Sequence, residues 1–248
     1  MKLKVLGSGS KGNCYLLQDN NETLIIECGI PYKTILKGLN FNLSNVVGCL
    51  VSHEHKDHSK AYWELLKAGI DVYTSNGTIR AILKEDEAIE TYHRLHFIKS
   101  EVQFKVGGFT VLPFTAEHDA AEPLGFLIHH ENLGKLLFIT DSYYCKYKFK
   151  NLRNILIECN YSKGILNENL ENGSVHPVLR NRLIKSHFSL DNVKEFLEAN
   201  DLRKVNNIVL IHLSDSNSNS GEFKDQIERL TAKPTYIANK GLEINLNL

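Results

Sequence analysis

The chain has 248 residues, and its 29 Lys and Arg side chains balance 29 Asp and Glu, so the formal net charge is zero. That balance excludes a generally basic nucleic-acid coat and an acidic disordered tail, while leaving room for nucleic-acid chemistry at a local site. With 42% hydrophobic and 23% charged residues the composition is that of an ordinary soluble globular protein, and no run approaches the roughly 18 apolar residues of a membrane span.

Met1 to Val5 lacks the apolar stretch of a signal peptide, and the expectation is a cytoplasmic protein without membrane contact. Cysteines stand at 14, 28, 49, 145 and 159, with no CxxC pair. Four of them lie in or beside apolar runs, which predicts buried reduced thiols rather than a disulfide framework or a cysteine-held zinc. No linker, low-complexity segment or solenoid-type repeat divides the chain, so residues 1–248 are read as one domain.

Leu3–Leu6, Cys14–Gln18 and Leu24–Glu27 read as strands separated by Gly7–Asn13 and Asp19–Asn21. Pro31–Leu39 reads as a helix, Asn45–Ser52 as a buried strand, and Ala61–Ala68 as a helix with Trp63, Leu65 and Leu66 facing the core. Val72–Thr74 (strand) and Thr78–Leu83 (helix) follow. Strands are then expected at Leu95–Ile98, Val102–Lys105, Phe109–Phe114, Gly125–His129, Lys135–Thr140 and Ile155–Glu158. Helices are expected at Pro177–Lys185 and Asp191–Ala199, the second started by Ser189. Asn207–Leu213 is a last apolar strand, followed by a helix over about 221–230 and short strands at Tyr236–Ala238 and Leu242–Asn245. This mixture of hairpins and helices suits two packed sheets flanked by helices, not a doubly wound parallel sheet.

The 11 histidines are not spread evenly. Ser52-His53-Glu54-His55-Lys56-Asp57-His58 directly follows an apolar strand. In extended chain His53 and His55 point to one side, and Asp57 and His58 fall where the chain turns into the next helix. Four metal-capable side chains this close can serve two ions. Imidazole with carboxylate suits zinc, iron, manganese or nickel rather than calcium. A solvated surface turn is the plain alternative, but a strand feeding straight into the cluster is a site position.

The spacing is HxHxDH, and the sequence resembles the metallo-β-lactamase-fold hydrolases. The family pattern asks for three later ligands at strand ends, matched in order by His118, Asp141 and His212. The likeness narrows to the YycJ/WalJ-type proteins through Leu6-Gly7-Ser8-Gly9-Ser10-Lys11-Gly12-Asn13-Cys14, Glu117 to Phe126, Ile157 to Tyr161 (their ESNYD), His176, Arg182 and Ser186 to Ser189 (their H…R…GHLS) and His212 to Asn217 (their HLSxxN), collinear from about residue 3 to 220. Glu27, Cys159, Ser186 and Phe188 depart from the group's usual aspartate, serine, glycine and leucine, which marks a divergent member of phage or mobile-element type.

The resemblance implies an αββα sandwich and two divalent transition-metal ions, Zn²⁺ or Mn²⁺. It gives His53, His55 and His118 to one ion and Asp57, His58 and His212 to the other, with Asp141 bridging. With two carboxylates counted against two divalent ions, the site is expected to carry net positive charge and attract phosphate. The implied activity is phosphodiester hydrolysis through a metal-bridging hydroxide, of nuclease or exonuclease type. Alternatives are a small-molecule phosphodiesterase for cyclic nucleotides or cyclic ribose phosphates, similar to anti-Pycsar enzymes, and a non-enzymatic binding module on the same fold. Relatives form dimers, so a homodimer is an expected assembly.

His187 is expected to stabilise phosphate charge or protonate the leaving oxygen, against a plain role capping a helix end. Asp119 and Ser214 are expected to orient ligands, and Asp57 is an alternative proton carrier in a single-metal form. Gly7–Asn13 nearly spells a P-loop, but Asn13 and Cys14 replace the required Lys and Ser/Thr and a strand follows. It is read as a tight turn near the site, which makes Ser10 and Asn13 candidates. Cys145–Lys150 alternates lysine with apolar residues, either a polyanion guide or a solvated edge, and Arg180, Arg182 and Lys185 form a second basic patch. His93, His96, His129 and His130 have no motif and are read as structural or surface residues.

Overall fold

The computed structural model describes residues 1–83 and 92–246. Strands β1 (Lys2–Gly7), β2 (Cys14–Gln18) and β3 (Thr23–Ile26) form an antiparallel meander. Helix α1 (Tyr32–Gly38) leads to β4 (Val46–Leu50), the one-turn α2 (Lys56–Ser59), α3 (Tyr62–Lys67), β5 (Val72–Thr74), α4 (Asn76–Leu83) and β6 (Leu95–Phe97). A second meander follows, of β7 (Phe104–Val106), β8 (Phe109–Thr115), β9 (Leu124–His130) and β10 (Gly134–Ile139), and then β11 (Leu152–Glu158). Helices α5 (Lys163–Glu171), α6 (Pro177–Ser186) and α7 (Leu190–Glu198) precede β12 (Asn207–Ile211), α8 (Ser220–Thr231), β13 (Thr235–Ile237) and β14 (Glu243–Asn245).

Two mixed sheets result, in the orders β14-β1-β2-β3-β4-β5-β6 and β13-β12-β11-β10-β9-β8-β7, seven strands each. In each, antiparallel hairpins on one side give way to parallel strands, β3 to β6 in the first and β10 to β13 in the second, joined by helical crossovers except between β10 and β11, which an irregular segment connects. Crossover helices cover the outer faces of the sheets. The strand β10 shows the result residue by residue. Leu136 and Phe138 join the core between the sheets, while Leu137 and Ile139 join the layer under α7 and α8. Both sets are buried, so the strand reads as continuously apolar although its faces alternate. The first sheet has its own outer layer, with Leu16, Ile25 and Cys49 packed beneath Ile35, Leu65 and Leu66. This is the expected αββα sandwich.

Several boundaries differ from expectation for local reasons. The strand expected at Val102–Lys105 is Phe104–Val106, because the turn at Gly107-Gly108 pairs Val106 with Phe109 and leaves Val102 56% exposed. Helix α5 was not anticipated. Its sequence is polar, only Leu166 is buried, and it starts because the Ser162 hydroxyl accepts the Ile165 N–H. Cys145–Lys150 keeps its alternation, with Cys145 and Phe149 buried and Lys146, Lys148 and Lys150 exposed, but forms no strand. In α3, Leu65 and Leu66 are buried and Trp63 is partly so, with the Lys67 ammonium over its ring. The Ser189 cap of α7 is as read, its hydroxyl accepting from Asn192 N–H. All five cysteines are free and buried. No helix among the described residues is long and apolar enough to cross a membrane.

Phe138 is fully buried, edge-on to Tyr15 across the sheets and stacked with Phe126. Phe138→Ala is expected to lower the free energy of unfolding by about 3–5 kcal/mol. Phe41→Ala, at a residue 66% exposed, should change it by less than about 0.5 kcal/mol in the same denaturant titration.

Candidate metal centre

Every sequence-predicted ligand lies just past the C-terminal end of a strand, and those strands run in one direction. His53, His55, Asp57 and His58 follow β4, His118 follows β8, Asp141 follows β10 and His212 follows β12. The two sheets thus deliver donors to one edge from opposite sides. Asp141 and His212 have φ values of 39° and 51°, in the left-handed region. A non-glycine residue there costs about 1–3 kcal/mol. That turn folds the side chain back over the strand ends.

The donors form two groups. His53 Nε2 is 3.0 Å from His55 Nδ1, and His118 Nε2 is 3.2 Å from the same atom. Asp141 Oδ2 completes this set at 3.8 Å from His53 Nε2 and 3.6 Å from His118 Nε2. In the other set, His58 Nε2 lies 3.4 Å from Asp57 Oδ2, which is 3.4 Å from His212 Nε2. The same Asp141 Oδ2 is 3.4 Å from His58 Nε2. A tetrahedral ion with bonds of about 2.0–2.1 Å spaces its donors about 3.3–3.4 Å apart. Both sets therefore match the dimensions of a metal site, and both are groups that could hold an ion.

Polar contacts on the far side of four of the five rings orient them toward the donor sets. The Ser186 carbonyl accepts from His118 Nδ1 at 2.7 Å, and the Glu158 carboxylate accepts from His212 Nδ1 at 3.0 Å. His58 Nδ1 lies 3.4 Å from Glu27 Oε2, and His53 Nδ1 lies 2.9 Å from Ser52 Oγ. A ring that donates through Nδ1 presents Nε2 as a ligand.

Glu158 and Glu27 were given no role from the sequence. Both are fully buried. Glu158 accepts from Ser142 N–H, Phe188 N–H, His212 Nδ1 and His187 Nδ1, the last at 2.6 Å. The available signal was a glutamate closing the apolar run Ile155–Ile157, since a charge placed there needs partners. With these two the centre gathers four carboxylates rather than two, although burial raises Glu27 and so favours its neutral form.

Burial raises Asp141, but the facing His212 and His58 rings outweigh it and hold the carboxyl well below its usual range. Asp57 is likewise held down by His212 and His58 against burial. Burial lowers His212, yet Asp141, Asp57 and Glu158 push it up to about 10, and Asp141 and Glu27 raise His58. His53 and His118 go the other way, lowered chiefly by burial.

A cavity of about 420 Å³ opens over the clusters, lined by His55, His118 and His212 on one side and by Leu179, Arg182 and Leu183 of α6 on the other. His187 lines it too. It is the C-terminal residue closing α6, but its ring bonds Glu158 rather than a helix carbonyl. Burial lowers His187, and the Glu158 carboxylate overcomes this and raises it. Asp119 Oδ1 lies 3.3 Å from His118 Nδ1, and its Oδ2 accepts from Arg182 Nε. Ser10 and Ser214 line the cavity. The Ser214 hydroxyl accepts from Ser216 and Asn217 and touches no candidate ligand. Asn13 is buried, its amide donating to the Asp57 carbonyl 3.1 Å away and lying 3.2 Å from His58 Nε2. The Gly7–Asn13 turn thus braces the site, as expected of it.

A separate group of Asp19, Glu22 and His130 also clusters. There Asn132 N–H donates to His130 Nδ1, so Nε2 carries the proton and donates to Glu22 at 2.9 Å. That is a satisfied structural histidine, in keeping with its sequence reading.

One aspartate oxygen shared by two donor sets, supplied from facing sheets, is the arrangement of a metallo-β-lactamase-fold hydrolase, and this protein is of that class. Residues 36–213 match the family described as the β-lactamase superfamily domain, and the chain belongs to it. Residues 1–66 also match a second family, the anti-Pycsar protein Apyc1. The chain is 32% identical over 156 residues to the exodeoxyribonuclease YycJ of Bacillus anthracis, a match that spans 61% of this chain and only 58% of that protein. It is 26% identical over 229 residues to the exodeoxyribonuclease WalJ of Streptococcus pneumoniae, covering 88% of this chain and 83% of the relative. The metallo-β-lactamase-fold protein YhfI of Bacillus subtilis superimposes with a TM-score of 0.71 at 15% identity, covering 98% of this chain and 99% of that one.

Gly29 packs directly beneath the Asp57-His58 turn, where an added Cβ would lie 1.7 Å from the Asp57 carbonyl oxygen and 2.5 Å from the His58 nitrogen. Gly29→Ala must displace that turn. It is expected to lower metal content measured by elemental analysis by about one equivalent and to reduce thermal stability.

Proposed function

We propose that the protein is a dinuclear metal-dependent phosphodiesterase that cleaves nucleic acid as an exonuclease. In this reading His53, His55 and His118 hold one ion, Asp57, His58 and His212 hold the other, and Asp141 serves both through Oδ2. Zn²⁺ or Mn²⁺ suits these donors. The observation that carries the reading is the shared Asp141 oxygen, which lies within 3.8 Å of nitrogens from both sets. The curated relatives named exodeoxyribonucleases supply the substrate class.

When bound, the two ions supply a water nucleophilic at neutral pH and Lewis-acid stabilisation of a phosphoryl oxygen. The chain's own residues do the rest. Asp57, its carboxyl held low, suits a ligand rather than a proton carrier. His187 gives Nδ1–H to Glu158 and keeps Nε2 for the cavity. Glu158 outweighs burial and raises the ring above the ordinary imidazole range, which favours the protonated form, and its Nε2–H can bond a phosphate oxygen or pass its proton to the leaving oxygen. The apolar wall of Leu179 and Leu183 thins the water over that proton.

A second reading, a phosphodiesterase for cyclic nucleotides, is favoured by the match of residues 1–66 to the anti-Pycsar family. Turnover of bis(p-nitrophenyl) phosphate, cyclic mononucleotides and DNA of graded length with Mn²⁺ or Zn²⁺ separates the two. Rates that rise with chain length support the nuclease, and selective turnover of cyclic mononucleotides supports the second reading. Absence of any turnover at verified metal content would discard both. His187→Ala is expected to lower kcat about 10²- to 10⁴-fold while keeping both metal equivalents. Full turnover in that variant removes His187 from the chemistry.

Proton release should distinguish the two metal sets. His58 and His212 are raised and so hold protons at pH 7, whereas His53 and His118 are lowered and do not. An ion entering the second set must displace protons, so its affinity increases with pH. Calorimetric Zn²⁺ titration of metal-free protein is expected to show a tight phase followed by a weaker, proton-releasing phase. Lowering the pH from 8 to 6 should weaken the second phase more steeply than the first.

A further inference from the structure

The mouth of the cavity carries a cation that the hydrolytic chemistry does not use. Arg182, on α6, lines the cavity and is 58% exposed at the side chain. Its Nε donates to Asp119 Oδ2 at 2.7 Å. Neither Nη group has a hydrogen-bond partner among the described residues. Asp119 in turn stands 3.3 Å from His118 Nδ1, whose other nitrogen faces the first donor set. The guanidinium is therefore one imidazole ring and one carboxylate away from the metal centre, fixed at Nε with its fork free. A guanidinium held this way is prepared for a bidentate grip on phosphate.

Stability does not account for the pair. Both partners are well exposed, and such ion pairs contribute little to folding. Arg180, the neighbouring basic residue, is engaged by Asn167 instead. Among the basic side chains of α6, Arg182 is the one that reaches the cavity lining.

We infer that Arg182 is a second phosphate clamp, which takes the phosphate next to the scissile one in a nucleotide chain. The inference rests on the phosphodiesterase reading and deepens it. A cyclic mononucleotide has a single phosphate and cannot fill both positions, whereas a chain end presents two in succession. Asp119 is a positioning residue, holding Nε so that the two Nη groups face the cavity.

The test uses metal-loaded full-length protein with thymidylyl-thymidine, which has one phosphodiester, and the same dinucleotide bearing an added 5′- or 3′-terminal phosphate. Bis(p-nitrophenyl) phosphate serves as reference. The wild type is expected to favour one of the terminally phosphorylated forms in kcat/KM by about 10- to 100-fold, the range of a charge-assisted hydrogen bond. Arg182→Ala should bring that ratio close to one, and Arg182→Lys, which keeps charge but loses the fork, should recover part of it. Thermal melting and metal content verify that the variants fold. A wild type without preference, an Arg182→Ala protein that keeps the preference, or equal losses on all substrates including the reference would overturn the clamp. If nothing is turned over the phosphodiesterase reading fails by itself. Calorimetric binding of the same dinucleotides then decides: equal affinities of wild type and Arg182→Ala for the terminally phosphorylated form overturn the clamp, and a loss confined to that form supports it.

Discussion

One carboxylate without access to water ties the centre together. Glu158, at the end of β11, receives N–H groups from the loop after β10, from the start of the segment after α6, from His187 and from His212. A charge removed from water must be paid for by such partners, because each one left unmade costs about 1–3 kcal/mol or more. Three separate segments are therefore committed to meeting Glu158 at one point. His212 is turned to the candidate metal centre by that meeting, and His187 lines the cavity above it. The two act as a unit because they bond the same oxygen, Oε1.

The strained backbone is placed where it serves this geometry. Glu27, Asp141 and His212 have positive φ, and each lies just beyond a strand. An extended continuation would carry the side chain to one sheet face, into the packed layers. The left-handed turn brings it over the strand ends. Close contacts below leave no slack, since Gly12 and Gly29 approach so nearly that a Cβ on Gly12 would lie 2.4 Å from the Gly29 carbonyl. Rigid strands on both sides thus support donor positions that a free loop could not hold.

Much of this could be read before any coordinates. Short apolar runs punctuated by Gly and Asn define most strands, and the histidine run declares itself because an apolar strand leads straight into it. His118, Asp141 and His212 were each weak alone and became readable only in order and at strand ends. What escaped was of three kinds. Helix α5 has little apolar face, so periodicity had nothing to report. Glu158 and Glu27 are buried charges, whose meaning depends on partners distant in the chain. The Ser186 carbonyl that orients His118 is backbone, and side-chain identity does not announce it. Ser214 shows the reverse case, a polar neighbour of a ligand that spends its hydroxyl on its own turn.

The donors are drawn from positions 53 to 212, and no contiguous stretch holds a complete set. His53 and His55 need His118 from the other sheet, and Asp57 and His58 need His212. Bound ions would therefore act as rivets between the two halves of the sandwich, and neither half could open while they stay. Metal loss and sub-global unfolding become one event seen from two sides. Resistance to proteolysis should then follow how completely the centre is filled, more closely than the strength of any single helix or hairpin.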